Sequence, residues 1–349
     1  MRLPEAFASK LFVGFALGAL TVVLSPSVRA QARSSAGAGA VIDGTLADRS
    51  VNQWLVRMHE ASRRRAYVGT FVVSAGGNLS SSRIWHVCDG EQQMERVESL
   101  TGAPRSTFRL NDQVMTFLSE SRVVVAEKRE SLAPFPNFLQ SNEASVAEFY
   151  LVKAFGTERV AGFQADVLQL RPKDNLRFGY RVWTEKKTGL VVKLQTLDAD
   201  GQVLEQAAFS ELQLDAPVSM LNLTQMMAKT DGYQLEKPEI VKTVAAGEGW
   251  VLRNAVPGFK PMSCYKRAVA ATGEARHENT LQWIFSDGLA SVSLFVESFD
   301  PRRHGQPGAL AIGATHTLTR RMGDWWLTVI GEVPAQTLLA FAQGLERIK

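Results

Sequence analysis

The side chains with the widest chemical reach in this 349-residue chain are five histidines, His59, His86, His277, His304 and His316, and two cysteines, Cys88 and Cys264. Their spacing supports no reaction. Zinc sites and nucleophile sites bring ligands or partners together in short recurrent strings, and the chain has no H-E-x-x-H, C-x-x-C, G-x-S-x-G or P-loop string. A lone histidine on a strand, as His86 is read here, serves as a hydrogen-bonded structural residue. The expectation is a protein that binds rather than catalyses, with no metal or cofactor. The cysteines allow a bridge in an oxidising compartment if their Cα atoms come within about 7 Å. The plainer alternative is two thiols packed as small hydrophobes.

Binding must then be sought among apolar and aromatic side chains. Pro134-Phe135-Pro136-Asn137-Phe138-Leu139 sets two prolines around aromatics in a long segment, which reads as a lid over a cavity or as a plug for the core. On the lid reading, Trp85, Phe117, Phe135, Phe138 and Leu139 line an apolar cavity that takes acyl chains. A second set, Trp250, Arg253, Trp325 and Trp326, reads as a contact surface for a protein partner or as core. Arg63-Arg64-Arg65 reads as a solvated helix end that complements the macrodipole, the alternative being a site for phosphates or an acidic partner.

Extended elements must carry these candidates. The chain is 45% hydrophobic and 21% charged, an ordinary globular composition, and its length allows two domains. Arg2 and Lys10, the apolar run Leu11–Leu24 and Val28-Arg29-Ala30 read as a secretory signal, residues 1–30. The run is about 14 residues long, short of the roughly 20 that span a bilayer. Loss of Arg2, Lys10, Arg29 and Glu5 takes the formal charge from +4 to +2, so neither charge nor compartment suggests nucleic acid. Residues 31–44, rich in Ala, Gly and Ser, read as a flexible tail.

Residues 45–215 read as a large β unit. Ser50 and Gln53 fit a capping box, and Val51, Trp54, Leu55, Met58 and Ala61 form one helical stripe. Two antiparallel meanders follow, punctuated by Gly76-Gly77-Asn78, Asp89-Gly90, Pro172-Lys173-Asp174-Asn175 and Asp198-Ala199-Asp200-Gly201. In the second, Phe178, Tyr180 and Val182 alternate with Arg177, Gly179 and Arg181, so one face is apolar. About eight or nine such strands curl toward a closed or half-closed barrel. Residues 216–238, with Pro217, a short helix at Met220–Lys229 and Gly232, read as a connector and hinge. Residues 239–349 read as a smaller antiparallel β unit whose strands include Gly308–Leu318. It closes with a helix that has Pro334 at its start and Leu338, Phe341, Leu345 and Ile348 as its stripe. The fold class is mainly β (α+β).

One stretch also carries a family likeness. Glu158-Arg159-Val160-Ala161-Gly162, Pro172-Lys173-Asp174, Gly179-Tyr180-Arg181-Val182-Trp183, Thr188-Gly189-Leu190 and Gly201-Gln202-Val203-Leu204-Glu205, closed by Phe209, resemble the MucB/RseB family of periplasmic regulators of an envelope-stress sigma factor. The order and spacing agree, and the layout of signal, large β domain, connector and small β-plus-helix domain extends the likeness to the whole chain. The resemblance implies a half-barrel of the lipoprotein-carrier type with an apolar cavity, in the periplasm. It implies a negative regulator that binds the periplasmic segment of a membrane-anchored anti-sigma factor and shields it from site-1 proteolysis. Lipid or lipopolysaccharide fragments would then release it through their differential affinity for the two states. The alternative is a periplasmic lipid or lipoprotein carrier. A second unit behind a connector favours a protein partner, and homo-oligomerisation stays open.

Overall fold

The computed structural model describes residues 51–128, 144–270 and 277–348. The signal, the tail, Ser50 and the loop residues Phe135, Phe138 and Leu139 lie outside the described residues. Helix α1 (Val51–Arg64) buries Trp54, Leu55, Met58 and Ala61, the stripe that 3.6-residue periodicity sets on one side. Each large side chain buried this way contributes roughly 1.5–3 kcal/mol.

The large sheet has twelve strands. They are β1 (Tyr67–Ala75), β2 (Asn78–Cys88), β3 (Gln93–Ser99), β4 (Arg105–Leu110), β5 (Gln113–Leu118) and β6 (Val123–Lys128). After helix α2 (Ala144–Phe149) come β7 (Tyr150–Val160), β8 (Phe163–Pro172), β9 (Gly179–Glu185), β10 (Val191–Leu197) and β11 (Val203–Leu214). The last, β12 (Gln234–Glu236), follows helix α3 (Met220–Ala228). In space the order is β12-β6-β5-β4-β3-β2-β1-β11-β10-β9-β8-β7. The sheet is open, with β12 and β7 as its edges, so of the closed and half-closed forms that the strand count allowed the closed barrel is not the one formed. β7 was missed because its exposed positions carry Leu151, Lys153 and Phe155, which blur the alternation.

The two faces of this sheet are covered differently. On one, α1 packs with Tyr67, Ile84, Tyr180, Val182, Leu194 and Phe209. On the other, Met94, Phe108, Phe117 and Val124 pack against Leu223 and Met227 of α3. Part of the sheet's apolar surface is thus covered by α3. The stretch 216–238 is laid along the sheet. Ser219 caps α3 by accepting from the Asn222 N–H, and β12 pairs in parallel with β6 from Gln234↔Val123 to Glu236↔Val125. Only Lys237, Pro238 and Glu239 separate β12 from the first strand of the other sheet.

That second sheet has seven strands in the order β13-β15-β16-β17-β20-β19-β18. They are β13 (Ile240–Lys242), β15 (Lys260–Ala270), β16 (His277–Ser286), β17 (Ser291–Ser298), β18 (Gly308–Ile312), β19 (Thr315–Met322) and β20 (Trp325–Gly331). β14 (Trp250–Leu252) pairs instead with β21 (Leu345–Arg347). Gly308–Leu318, expected as one strand, is a hairpin, because Gly313 turns the chain at φ 59°. Helix α4 (Ala335–Gly344) buries Leu338 and Phe341 as expected but ends at Gly344. Leu345, assigned to the same stripe, is buried from β21, and Ile348 lies beyond that strand.

Candidate functional site

Alternation along β2 decides where Trp85 points. Ile84 joins the core under α1, so Trp85 and Val87 face the side that α3 covers. The half-buried Trp85 indole has the Arg83 and Arg96 guanidiniums 5.3 and 4.7 Å from its centre. Beside it is a cavity of about 330 Å³ lined by Val68, Arg83, Trp85, Pro217, Asn222 and Leu223. A partly apolar wall with the Arg83 guanidinium in its lining suits an anionic amphiphile. Phe117 is 7% exposed, edge-on to Phe108 and Tyr233 with centroids 5.5 and 5.4 Å away. It is core beneath α3, in the same apolar layer as Trp85 but outside the lining of the cavity.

The second aromatic set divides. Trp250 is 2% exposed and meets Trp325 edge-on at 5.5 Å, with the Arg347 guanidinium over both rings. Trp326 is 5% exposed and stacks on His304 at 5.0 Å. His304 accepts the Asp300 N–H at Nδ1, so its Nε2 donates to Glu297, 3.0 Å away. Trp250 and Trp326 are therefore built into the small unit and present no open face. Arg253, exposed and paired with Glu346 at 2.7 Å, and the half-buried Trp325 are the members that reach the surface. His86 is structural too: it stacks on Tyr67, sits 2.7 Å from the Arg65 carbonyl through Nδ1, and burial holds its pKa below the usual value. Cys88 and Cys264 are both free thiols, and burial pushes the Cys264 pKa up to about 11.

Sequence reasoning missed the seam between the two sheets. Arg177, assigned to the polar side of its strand, is 2% exposed and lies at the centre of one end. Its Nη1 donates to Asp174 at 2.8 Å, its Nη2 to the Pro257 carbonyl at 2.8 Å, and its Nε lies 3.0 Å from Asp287 Oδ2. Tyr150 donates to the same Asp287 oxygen, and Thr337 donates to the Leu176 carbonyl at 2.7 Å. Burial raises the Asp287 carboxyl, with Arg177 and two backbone N–H groups pulling the other way. A partial signal was present: Arg177 stands directly between the apolar Leu176 and Phe178.

At the other end the Gly313 turn abuts Ala75, and the Glu205 carboxylate accepts the Ala314 N–H. Glu332 follows Gly331, which pairs with His316, so it lies beside the same turn. Burial raises the Glu205 pKa; burial and then the Glu205 charge push Glu332 up to about 7. Among the described residues no cation pairs with either. A cavity of about 530 Å³ opens here, lined by Ser74, Gly76, Gly77, Gln195, Gln206 and Gly313 among others.

Two family profiles span these elements: the MucB/RseB N-terminal domain matches residues 50–227 and the MucB/RseB C-terminal domain matches residues 244–346. This chain belongs to the MucB/RseB family. Among its relatives, the sigma factor AlgU regulatory protein MucB of Pseudomonas aeruginosa is 29% identical over 291 residues, 82% of this chain and 87% of its own length. The sigma-E factor regulatory protein RseB of Escherichia coli K12 is 22% identical over 296 residues, 84% and 89% of the two chains. The solved Pseudomonas aeruginosa MucA/MucB complex matches at TM-score 0.66 and 25% identity, over 86% of this chain and 99% of that one. A second structure, MucB in complex with MucA(peri), matches at TM-score 0.64 and 25% identity, over 86% and 100%. In this MucB/RseB chain, β12 and β13 fall between the two profiles, so the passage from sheet to sheet is the part that neither covers.

Proposed function

We propose that this MucB/RseB protein is a periplasmic negative regulator of a sigma-E type stress response. It binds the periplasmic segment of a membrane-anchored anti-sigma factor and shields that segment from site-1 proteolysis. The observation that carries the reading is the match, over 86% of the chain and across both sheets, to MucB solved with MucA(peri). We read the large unit as residues 45–215 with 216–238 laid on its sheet, and the small unit as 239–349. Lipid or lipopolysaccharide releases the partner because it binds the two states unequally.

The cavity beside Trp85 supports the lipid half of this reading: the Arg83 guanidinium beside apolar side chains such as Val68, Trp85 and Leu223 offers a place for a phosphorylated acyl lipid. The same cavity favours the second reading, a lipid or lipoprotein carrier. Calorimetry separates them. Residues 31–349, titrated with the anti-sigma factor's periplasmic segment, should bind, and a lipopolysaccharide fragment should weaken that binding. Lipid binding with no affinity for the segment would leave the carrier.

A further inference from the structure

Of the four outer strands of the two large sheets, three are blunted in the ways that keep sheet edges from pairing. β7 carries Lys153, Glu158 and Arg159 and breaks register at Gly156. β12 is three residues long and ends in Glu236, and β13 is equally short, holds Lys242 and follows Pro238. The fourth, β18, is Gly308-Ala309-Leu310-Ala311-Ile312: Pro307 stands just before it, but within its five residues there is no charge and no proline, and the first four are exposed. Its free groups follow from the turn. A two-residue loop, Gly313-Ala314, makes Ile312 and Thr315 the closing hydrogen-bonded pair. Gly308, Leu310 and Ile312 therefore bond inward to β19, and the N–H and C=O of Ala309 and Ala311 point outward.

The C-terminal end of this edge meets the large sheet. Ile312 and Gly313 lie against Gly76, and Gly313 lines the 530 Å³ cavity with Ser74, Gly76 and Gly77. At the cavity's side Gln195 is only 8% exposed, and its Nε2 donates to Gln206 Oε1 at 2.6 Å. Among the described residues its own Oε1 has no hydrogen-bond partner. A buried amide oxygen left open costs about 1–3 kcal/mol, which a donor from water or from a bound segment would offset.

We propose that the outer edge of β18 and the cavity at Gly313 form one seat for an extended polypeptide segment. The segment adds a strand to the small sheet and carries a donor to Gln195 across the seam. The Ala309 and Ala311 groups specify a backbone as the occupant, since only a strand presents donors and acceptors at that repeat. The exposed Leu310 favours an apolar side chain at the alternate position of the incoming strand. A second copy of this chain fits less well. Antiparallel pairing of two β18 edges would place the partner's turn beside Gly308, away from the cavity. The identity of the segment rests on the reading proposed above: it is the anti-sigma factor's periplasmic portion.

The test uses residues 31–349 and that portion as a synthetic peptide. Proline is tolerated on an edge where the N–H faces solvent, so Ala309→Pro should keep the melting temperature while removing one donor of the seat. Gln195→Met removes the cavity amide at similar volume and guards against misfolding of the first variant. Each is expected to weaken peptide binding roughly tenfold. Binding unchanged in both variants overturns this inference alone, and no binding by the wild type sinks the regulator reading with it. If Ala309→Pro only dissociates a dimer and leaves peptide binding intact, the edge belongs to a second copy and the proposal fails.

Discussion

The two ends of the seam are built on opposite electrostatic plans. At one, Arg177 is held by Asp174, Asp287 and a carbonyl, under the rings of Phe149 and Phe259. At the other, Glu205 and Glu332 share a site with no cation among the described residues, relieved only by the Ala314 N–H. A buried charge with its partners in place is costly to disturb, whereas two carboxyls at one site resist joint ionisation. The contrast teaches that the two sheets are fastened at the Arg177 end and held more loosely where β18 meets the large sheet. A regulator that changes partner affinity needs such unequal fastening.

Breaking the fastened end should have the largest effect. Arg177→Ala leaves Asp287 buried without its cation, and a loss of about 3–5 kcal/mol is expected in a denaturant titration; a loss below about 1 kcal/mol would show that the contact does not hold the seam. Asp287→Asn sharpens the same point. The amide can still accept the Leu289 and Ala290 N–H groups that Asp287 Oδ1 now receives at 2.9 and 2.7 Å, so what goes is the ion pair to Arg177 and the Tyr150 hydrogen bond, both made at Oδ2. About 1–2 kcal/mol should be lost.

The loose end should respond to pH in a defined direction. Glu332 keeps its proton up to about 7 in the folded protein, against 4.5 for an ordinary glutamate. A raised carboxyl pKa stabilises the fold at low pH, and that contribution is lost as pH rises from about 4.5 to about 7. Glu332→Gln, which mimics the protonated form, should therefore match the wild type near pH 4 and exceed it on the order of 1 kcal/mol at pH 8. Parallel melting curves across this range would contradict the carboxyl-pair account. The smallest effect is expected from reductant. Cys88 and Cys264 are free thiols, so neither end should soften when dithiothreitol is added to a thermal melt.

Much of the large sheet was legible because local chemistry and burial agree there. The Gly76-Gly77-Asn78 turn does separate β1 from β2, and the Trp54, Leu55, Met58 and Ala61 stripe packs as its period requires. Misreadings arose where tertiary context overrides pattern. β12 is three residues whose pairing with β6 joins positions over a hundred apart in sequence, which no local periodicity records. Gly308–Leu318 read as one strand because Gly313-Ala314 lacks the Asn-Gly or Asp-Gly signature of a tight hairpin. The candidate site was legible only in part. Trp85 does line a cavity, but the indoles of Trp250 and Trp326, equally apolar in sequence, are spent on the core. Of the seam residues, Arg177 and Glu332 carry no motif and Glu205 stood out only as the end of a family string, because their importance comes from burial that two sheets create together.

The central claim is that this chain shields an anti-sigma factor from its protease, and the rate of site-1 cleavage of the intact, membrane-anchored anti-sigma factor tests it most directly. Cleavage should fall to background when residues 31–349 are present at saturation and recover when a lipopolysaccharide fragment is added. Cleavage at the same rate with and without the protein would contradict the account.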